Sequence, residues 1–147
     1  MKNISKEFLA AQEEACKSSR NAYCFAYNNI CADMKKCQEA ACKDPIYAYW
    51  FAKDIKGANI EKCQEAACKN TREAYWFARG VKKANIKKCQ EAACKDPEYA
   101  YYFARDIKGA DVKYCQKVIY KDYYWTKRFA KDVPGADQKK CLIYSLL

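Results

Sequence analysis

The stretch KKCQEAACKDPEYAYYFARDIKGADV, from Lys87 to Val112, decides the fold, because edited copies of it occupy most of the chain. Its second part, FARDIKGADV, occurs earlier as FAKDIKGANI from Phe51 and as FARGVKKANI from Phe77. Cysteines spaced 26 residues apart mark the same register, at Cys37, Cys63, Cys89, Cys115 and Cys141. A fixed period of about 20 to 50 residues is typical of a tandem-repeat protein.

The local sequence predicts two short helices in each repeat. In the quoted copy, Asp96 is a good N-cap, Pro97 suits the first helical position and Gly109 suits the left-handed residue that ends the helix. The apolar residues between these signals recur with helical spacing, at Ala100, Phe103, Ala104 and Ile107. A second helix then follows, capped by Asp111.

The chain, residues 1–147, is therefore predicted to be a single all-α domain, an αα-hairpin solenoid of about five repeats and about eleven helices. Residues 1–17 would form an N-terminal capping helix from near Ser5, residues 18–136 the tandem repeats, and residues 137–147 a C-terminal capping helix. A repeat this short cannot bury its own apolar face, so neighbouring repeats must stack. The repeats are expected to begin near Ser18, Asp44, Asn70, Asp96 and Asp122.

The strings DPEYAYYFARDIKGADV and KKCQEAACK resemble the short helical repeats of uncharacterised bacterial and phage proteins. The resemblance covers about Cys37 to Asp137. In architecture alone the chain is similar to HEAT-like and tetratricopeptide-like arrays, although it lacks the tetratricopeptide period. What the resemblance implies is a recognition scaffold with no specific activity.

Composition restricts the function. The chain has 28 Lys and Arg against 18 Asp and Glu, a net charge of +10, and no histidine. A basic balance favours acidic proteins, phosphates or anionic surfaces as partners, and the absence of histidine removes the commonest general base and metal ligand. Lys6, Glu7 and Gln12 interrupt any signal-peptide core, and no apolar stretch approaches a membrane span. We expect a cytoplasmic protein that does not bind a membrane.

The sequence contains 11 cysteines, and three repeats carry a C-x4-C pair such as Cys89 and Cys94. Five residues along a helix turn the chain by about 140°, so these two thiols cannot bond to each other. Equivalent cysteines of successive repeats would lie about 10 Å apart, too far to share a metal ion. We interpret the cysteines as reduced thiols that fill small apolar positions, in a reducing compartment. Disulfides between helices, metal binding and redox sensing are the less favoured alternatives.

Cationic and aromatic residues recur at the same position of successive repeats, and we call each such set a column. Columns of this kind usually form a solvated face or pack between adjacent repeats, and this is the ordinary interpretation of each column here. The more specific hypothesis is that these residues form a binding surface, because exposed aromatic rings beside cations can stack on nucleic-acid bases or bind a protein. The column residues are Lys53, Arg79, Arg105 and Lys131, with Tyr49, Tyr75, Tyr101, Trp50, Trp76 and Tyr102.

The fourth repeat departs most from the pattern, as YCQKVIYKDYYWTKR from Tyr114 to Arg128. A structural repeat does not require these changes, so they are the best candidate for a binding hot spot. The residues concerned are Tyr114, Tyr120, Tyr123, Tyr124, Trp125, Lys127 and Arg128.

The last segment, CLIYSLL, is unusually apolar for a terminal helix. We expect it to fold back on the final repeat, with an exposed patch for a partner as the alternative. In that alternative, the chain would form a homo-oligomer through Leu142, Ile143, Leu146 and Leu147.

An enzyme is the least favoured class, because the acidic residues recur as columns and no catalytic motif is present. The sequence predicts a non-enzymatic scaffold that presents its Tyr/Trp and Lys/Arg columns to a protein with an acidic surface, without cofactor or metal. The alternatives are sequence-independent binding of nucleic acid along the basic columns and self-assembly into an oligomer or filament.

Overall fold

The computed structural model describes residues 5–146, and this range contains eleven α-helices and no β-strand. The predicted all-α class is therefore confirmed for the described residues. The helices are α1 (Lys6–Ala15), α2 (Ser19–Asn28), α3 (Met34–Ala41), α4 (Pro45–Asp54), α5 (Ile60–Ala67), α6 (Thr71–Gly80), α7 (Ile86–Ala93), α8 (Pro97–Asp106), α9 (Val112–Ile119), α10 (Tyr123–Asp132) and α11 (Gln138–Tyr144).

The predicted helix ends are confirmed by the capping geometry. The side chain of Asp96 accepts hydrogen bonds from the backbone N–H groups of Glu98 and Tyr99, and Pro97 is the first residue of α8. Gly109 has a φ of +88°, the left-handed conformation that glycine adopts without strain. Side-chain N-caps also precede α1, α2, α4, α6 and α10, at Ser5, Ser18, Asp44, Asn70 and Asp122.

The chain divides into two compact parts, one up to Ala67 and one from Cys68 onward. In the N-terminal part, α2 packs on α3 and α4 packs on α5 as helical hairpins. Helix α1 packs on α2, and α4 contacts both helices of the preceding hairpin.

The C-terminal part contains three hairpins, formed by α6 with α7, α8 with α9, and α10 with α11. Helix α8 packs against both α6 and α7, and α10 packs against both α8 and α9. In both parts, the first helix of one hairpin therefore lies against the hairpin before it.

The core contains small residues and phenylalanines from the first helices of the hairpins, together with cysteines and alanines from the second helices. The four residues predicted to form the buried face of α8 and its C-cap, Ala100, Phe103, Ala104 and Ile107, are all buried. Phenylalanine is fully buried at the same position in four hairpins, and each ring contributes about 2 kcal/mol by leaving water. These rings are Phe51, Phe77, Phe103 and Phe129.

The end of the chain differs from its expected packing. Cys141 is buried, but Leu142, Ile143 and Leu146 are exposed by 63%, 50% and 79%. Helix α11 packs on α10, as expected, but these three side chains are left uncovered, because only one face of α11 meets α10. Leu147 lies outside the described residues.

Candidate binding surface

Cations lie over aromatic rings at the same place in α4, α6 and α8, and about one turn nearer the helix start in α10. In each case the cation comes three residues after a ring on the same helix, so both side chains project from one face. The distances from the cationic centre to the ring centroid are 4.6 Å for Lys53 over Trp50, 5.4 Å for Arg79 over Trp76, 5.1 Å for Arg105 over Tyr102 and 5.8 Å for Arg128 over Trp125.

The structure brings two predicted groups of residues together on α8 and α10. The guanidinium of Arg128 lies 5.2 Å from the ring centroid of Tyr101, on the neighbouring helix. The ring of Trp125 lies 5.3 Å from Tyr101 and 5.8 Å from Tyr102. We call this cluster the aromatic–cation surface, and it consists of Tyr101, Tyr102, Arg105, Tyr124, Trp125 and Arg128.

Helix α6 extends this surface within the C-terminal part. The ring of Tyr75 lies 6.0 Å from that of Tyr102, and Arg79 is 4.0 Å from a carboxylate oxygen of Asp106, which ends α8. Trp76 is 36% exposed, so the extension presents an open ring beside its cation.

Not every predicted aromatic column faces solvent. Tyr49, Tyr75 and Tyr101 are only 6%, 4% and 0% exposed. Tyr101 therefore supports the aromatic–cation surface from below, and Tyr75 supports its extension on α6. The hydroxyl of Tyr75 donates a 2.7 Å hydrogen bond to Oδ2 of Asp106. Burial together with this bond raises the pKa of Tyr75 to about 12.

Carboxylates lie among the guanidinium groups. Arg105 donates to both carboxylate oxygens of Asp106, from Nε at 2.6 Å and from a terminal nitrogen at 2.9 Å. These bonds lower the pKa of Asp106 and raise the pKa of Arg105. On α10, Nε of Arg128 lies 3.8 Å from Oδ2 of Asp132. The surface therefore alternates positive and negative charge and is not a uniform basic stripe.

The remaining hot-spot candidates lie in different environments. Tyr123 and Tyr124 are 58% and 56% exposed, and Lys127 lies 5.3 Å above the Tyr123 ring. Tyr114, on α9, is 40% exposed. Tyr120 instead stacks on Tyr144 at 4.1 Å between ring centroids. The structure thus joins Tyr124, Trp125 and Arg128 to the aromatic–cation surface and leaves Tyr120 in contact with α11.

The lysine columns are exposed. Lys53 and Lys131 lie in solvent near the ends of α4 and α10, where their charge complements the helix dipole. The lysine that follows each second helix is exposed as well, at Lys17, Lys43, Lys69, Lys95 and Lys121.

Sequence reasoning missed a column of buried glutamines. Gln90 donates from Nε2 to the carbonyl of Asp111 and accepts from its N–H through Oε1, both at 2.9 Å. Gln116 bonds the backbone of Asp137 in the same way, at 3.0 Å. The signal was a glutamine that directly follows the repeated cysteine in four second helices, at Gln38, Gln64, Gln90 and Gln116, with an equivalent at Gln12 in α1; all five glutamines are buried.

All eleven cysteines are thiols in the structure. The repeated cysteine at the centre of each second helix is fully buried or nearly so, at Cys37, Cys63, Cys89, Cys115 and Cys141. The sulfur neighbours of Cys37, Cys63, Cys89 and Cys115 do not lie on the same helix as these cysteines.

Two other features are absent from residues 5–146. The described residues contain no group of three or more His, Cys, Asp or Glu side chains that could hold a metal ion. Among the same residues, every helix is too short or too polar to cross a bilayer.

Comparisons with protein-family models, with curated proteins and with solved structures return no match.

Proposed function

We propose that this chain is a tandem αα-hairpin solenoid of 26-residue repeats that acts as a non-enzymatic binding scaffold for a protein with an acidic surface. The spacing of the helices supports the architecture, since the first helices of the hairpins begin at residues 19, 45, 71, 97 and 123. The aromatic–cation surface on α8 and α10 supports the binding role, and it is the observation that carries the proposal.

The surface suits a carboxylate-bearing partner. Arg105 and Arg128 lie over aromatic rings. Arg105 already donates to Asp106 and Tyr101, and Arg128 donates to Tyr124, so a carboxylate would bind the remaining N–H groups at the edge of each guanidinium. Tyr124 and the neighbouring Trp125 offer apolar ring area beside these charges. Arginine and aromatic residues dominate binding hot spots, and the ring contacts already hold the cations in place, which reduces the entropy lost on binding.

The same charges favour a protein over a nucleic acid. Asp106 and Asp132 lie within hydrogen-bond or ion-pair distance of the arginines of this surface. A phosphate backbone, which is negative at every step, would be repelled by these carboxylates. A protein partner can place a carboxylate at each arginine and a neutral or basic group beside each aspartate.

Selection of binders from a random displayed-peptide library tests this proposal. The selected peptides should combine Asp or Glu with an adjacent aromatic or aliphatic residue. A parallel titration with single- and double-stranded oligonucleotides separates the alternative. Binding of oligonucleotides that falls steeply with salt, with no enrichment of acidic peptides, would contradict the proposal and favour nucleic acid.

Self-association is a second candidate, because Leu142, Ile143 and Leu146 form an exposed apolar group. Light scattering at increasing protein concentration tests it. We expect the mass to rise above that of one chain and to return to it when Leu142 and Leu146 are changed to Glu. A mass that stays at one chain at all concentrations would exclude this function.

A further inference from the structure

Cysteine sulfur atoms lie in contact at four places. In each pair, a cysteine that directly follows α1, α3, α5 or α7 contacts a buried cysteine of α3, α5, α7 or α9, which comes 21 residues later along the chain. The Sγ–Sγ distances are 3.9 Å for Cys16 with Cys37, 3.7 Å for Cys42 with Cys63, 4.0 Å for Cys68 with Cys89 and 3.3 Å for Cys94 with Cys115.

The pairing goes beyond a need for small side chains. Alanine fills the other small buried positions of these helices, including Ala41, Ala67 and Ala93, which are fully buried. Within the second helices and the residues that directly follow them, cysteine occurs at only two positions, those of Cys89 and Cys94 and their equivalents. These are the two positions at which sulfurs of successive helices come into contact. A side chain chosen for size alone has no reason to occur in facing pairs four times.

The two members of a pair differ in accessibility. Cys89 is fully buried, whereas Cys68 is half-buried. The contact with Cys89 and the charges of Lys88 and Lys95 lower the pKa of Cys68, while the contact with Cys68 and burial raise the pKa of Cys89. Cys68 is thus the more exposed and more readily ionised thiol, and its neighbour is protected.

We propose that the four pairs are oxidation sites, at which a small-molecule disulfide such as oxidised glutathione converts the facing thiols into disulfides.

The reaction balances as two successive exchanges. The thiolate of Cys68 attacks one sulfur of the glutathione disulfide, forms a mixed disulfide and releases one glutathione thiolate, which takes up a proton. The thiol of Cys89 loses its proton to solvent and attacks the Cys68 sulfur, which releases the second glutathione. The protein pair is oxidised by two electrons, and glutathione disulfide is reduced to two glutathione thiols.

The fold permits the required movement. Closing the bond brings the sulfurs from their contact distances to about 2.05 Å. Cys16, Cys42 and Cys94 are C-cap residues, so the helical hydrogen bonds of α1, α3 and α7 end at them and a side-chain rotation does not disrupt the helix interior. We expect the Cys94–Cys115 bond to form last despite its short distance, because Cys94 is only 4% exposed to the oxidant.

Peptide mapping of the folded full-length protein tests the proposal. The protein is incubated with oxidised glutathione, the remaining thiols are alkylated, and linked peptides are identified by mass spectrometry. The four cross-linked pairs should appear, with Cys24, Cys31 and Cys141 alkylated, and reductant should reverse the linkage. Persistent glutathione adducts, linkages between other cysteines or no linkage would each overturn the proposal.

A variant pair and a stability measurement sharpen the test. Cys68→Ala should abolish only the linkage to Cys89 and leave Cys89 unlinked, whereas Cys24→Ala, at an exposed site, should leave all four linkages in place. Each disulfide closes a loop of about 20 residues, so oxidation of the wild type should raise the thermal midpoint by on the order of 10 °C. An unchanged midpoint in protein that carries the linkages would contradict the conclusion that they join helices of the folded state.

Discussion

The hydroxyl of Tyr101 donates a 2.7 Å hydrogen bond to Oδ2 of Asp132, 31 residues further along the chain. Tyr75 donates to Asp106 and Tyr23 donates to Asp54 with the same separation, at 2.7 Å and 2.8 Å. Each bond joins the first helix of one hairpin to the end of the first helix of the next. The repeated tyrosine is therefore a connector between hairpins, and the rings of Tyr75 and Tyr101 also lie under Arg79 and Arg105.

Changing Tyr101 to Phe should destabilise the protein by about 2 kcal/mol, because a buried hydroxyl that donates to Asp132 and accepts from Arg105 is lost, which leaves Asp132 with Arg128 alone. Urea unfolding followed by circular dichroism measures the change. Tyr114→Phe is the matched control, since Tyr114 is exposed and should tolerate the loss of its hydroxyl within about 0.5 kcal/mol. Equal stability of the two variants would contradict the connector role.

Stability should fall in alkali. The pKa of Tyr75 is raised from its ordinary value of 10 to about 12, chiefly by burial and by the bond to Asp106. A raised folded-state pKa gives a contribution that is fully present below pH 10 and is lost as the pH rises through 12. Urea midpoints measured from about pH 9 to about pH 12 should decline, and the decline should be shallower in Tyr75→Phe. Identical slopes in both proteins would show that Tyr75 does not link folding to pH.

Replacing Gln90 with Ala should cost about 3 kcal/mol. The change removes two hydrogen bonds and leaves the backbone N–H and C=O of Asp111 without their side-chain partner at the start of α9. Urea unfolding measures the loss, and amide hydrogen exchange should show faster exchange at Asp111. Glu91→Ala, at the exposed neighbouring position, serves as the control. A loss no larger than that of the control would exclude a structural role for the glutamine column.

Much of the fold could be predicted because its signals are local and repeated. Asp96, Pro97 and Gly109 mark the beginning and end of one helix through backbone conformation alone. Their equivalents recur in other repeats, so each helix prediction was supported by several copies. The exposure of Leu142 and Leu146 could not be predicted, because local sequence does not show whether a neighbouring helix covers an apolar side chain.

The contacts between hairpins could not be predicted in the same way. The sequence offered two kinds of candidate partner for Cys89, namely Cys94 on the same helix and the equivalent cysteines 26 residues away. The actual neighbour of Cys89 is Cys68, 21 residues earlier, because this contact depends on how the helices pack. The aromatic–cation surface was predicted in part, since Arg105 and Tyr102 share a helix face. The approach of Arg128 to Tyr101 required the packing of α10 on α8.

The central claim is that the aromatic–cation surface binds an acidic protein segment, and calorimetric titration of a selected acidic peptide tests it most directly. The peptide is titrated into the wild type, into Arg105→Gln with Arg128→Gln, and into Lys113→Gln with Lys117→Gln, which removes the same charge from exposed positions of α9. We expect the arginine variant to bind at least about tenfold more weakly and the lysine variant to bind nearly as well as the wild type. Equal weakening in both variants would show that net charge, and not this surface, governs binding, and would contradict the account.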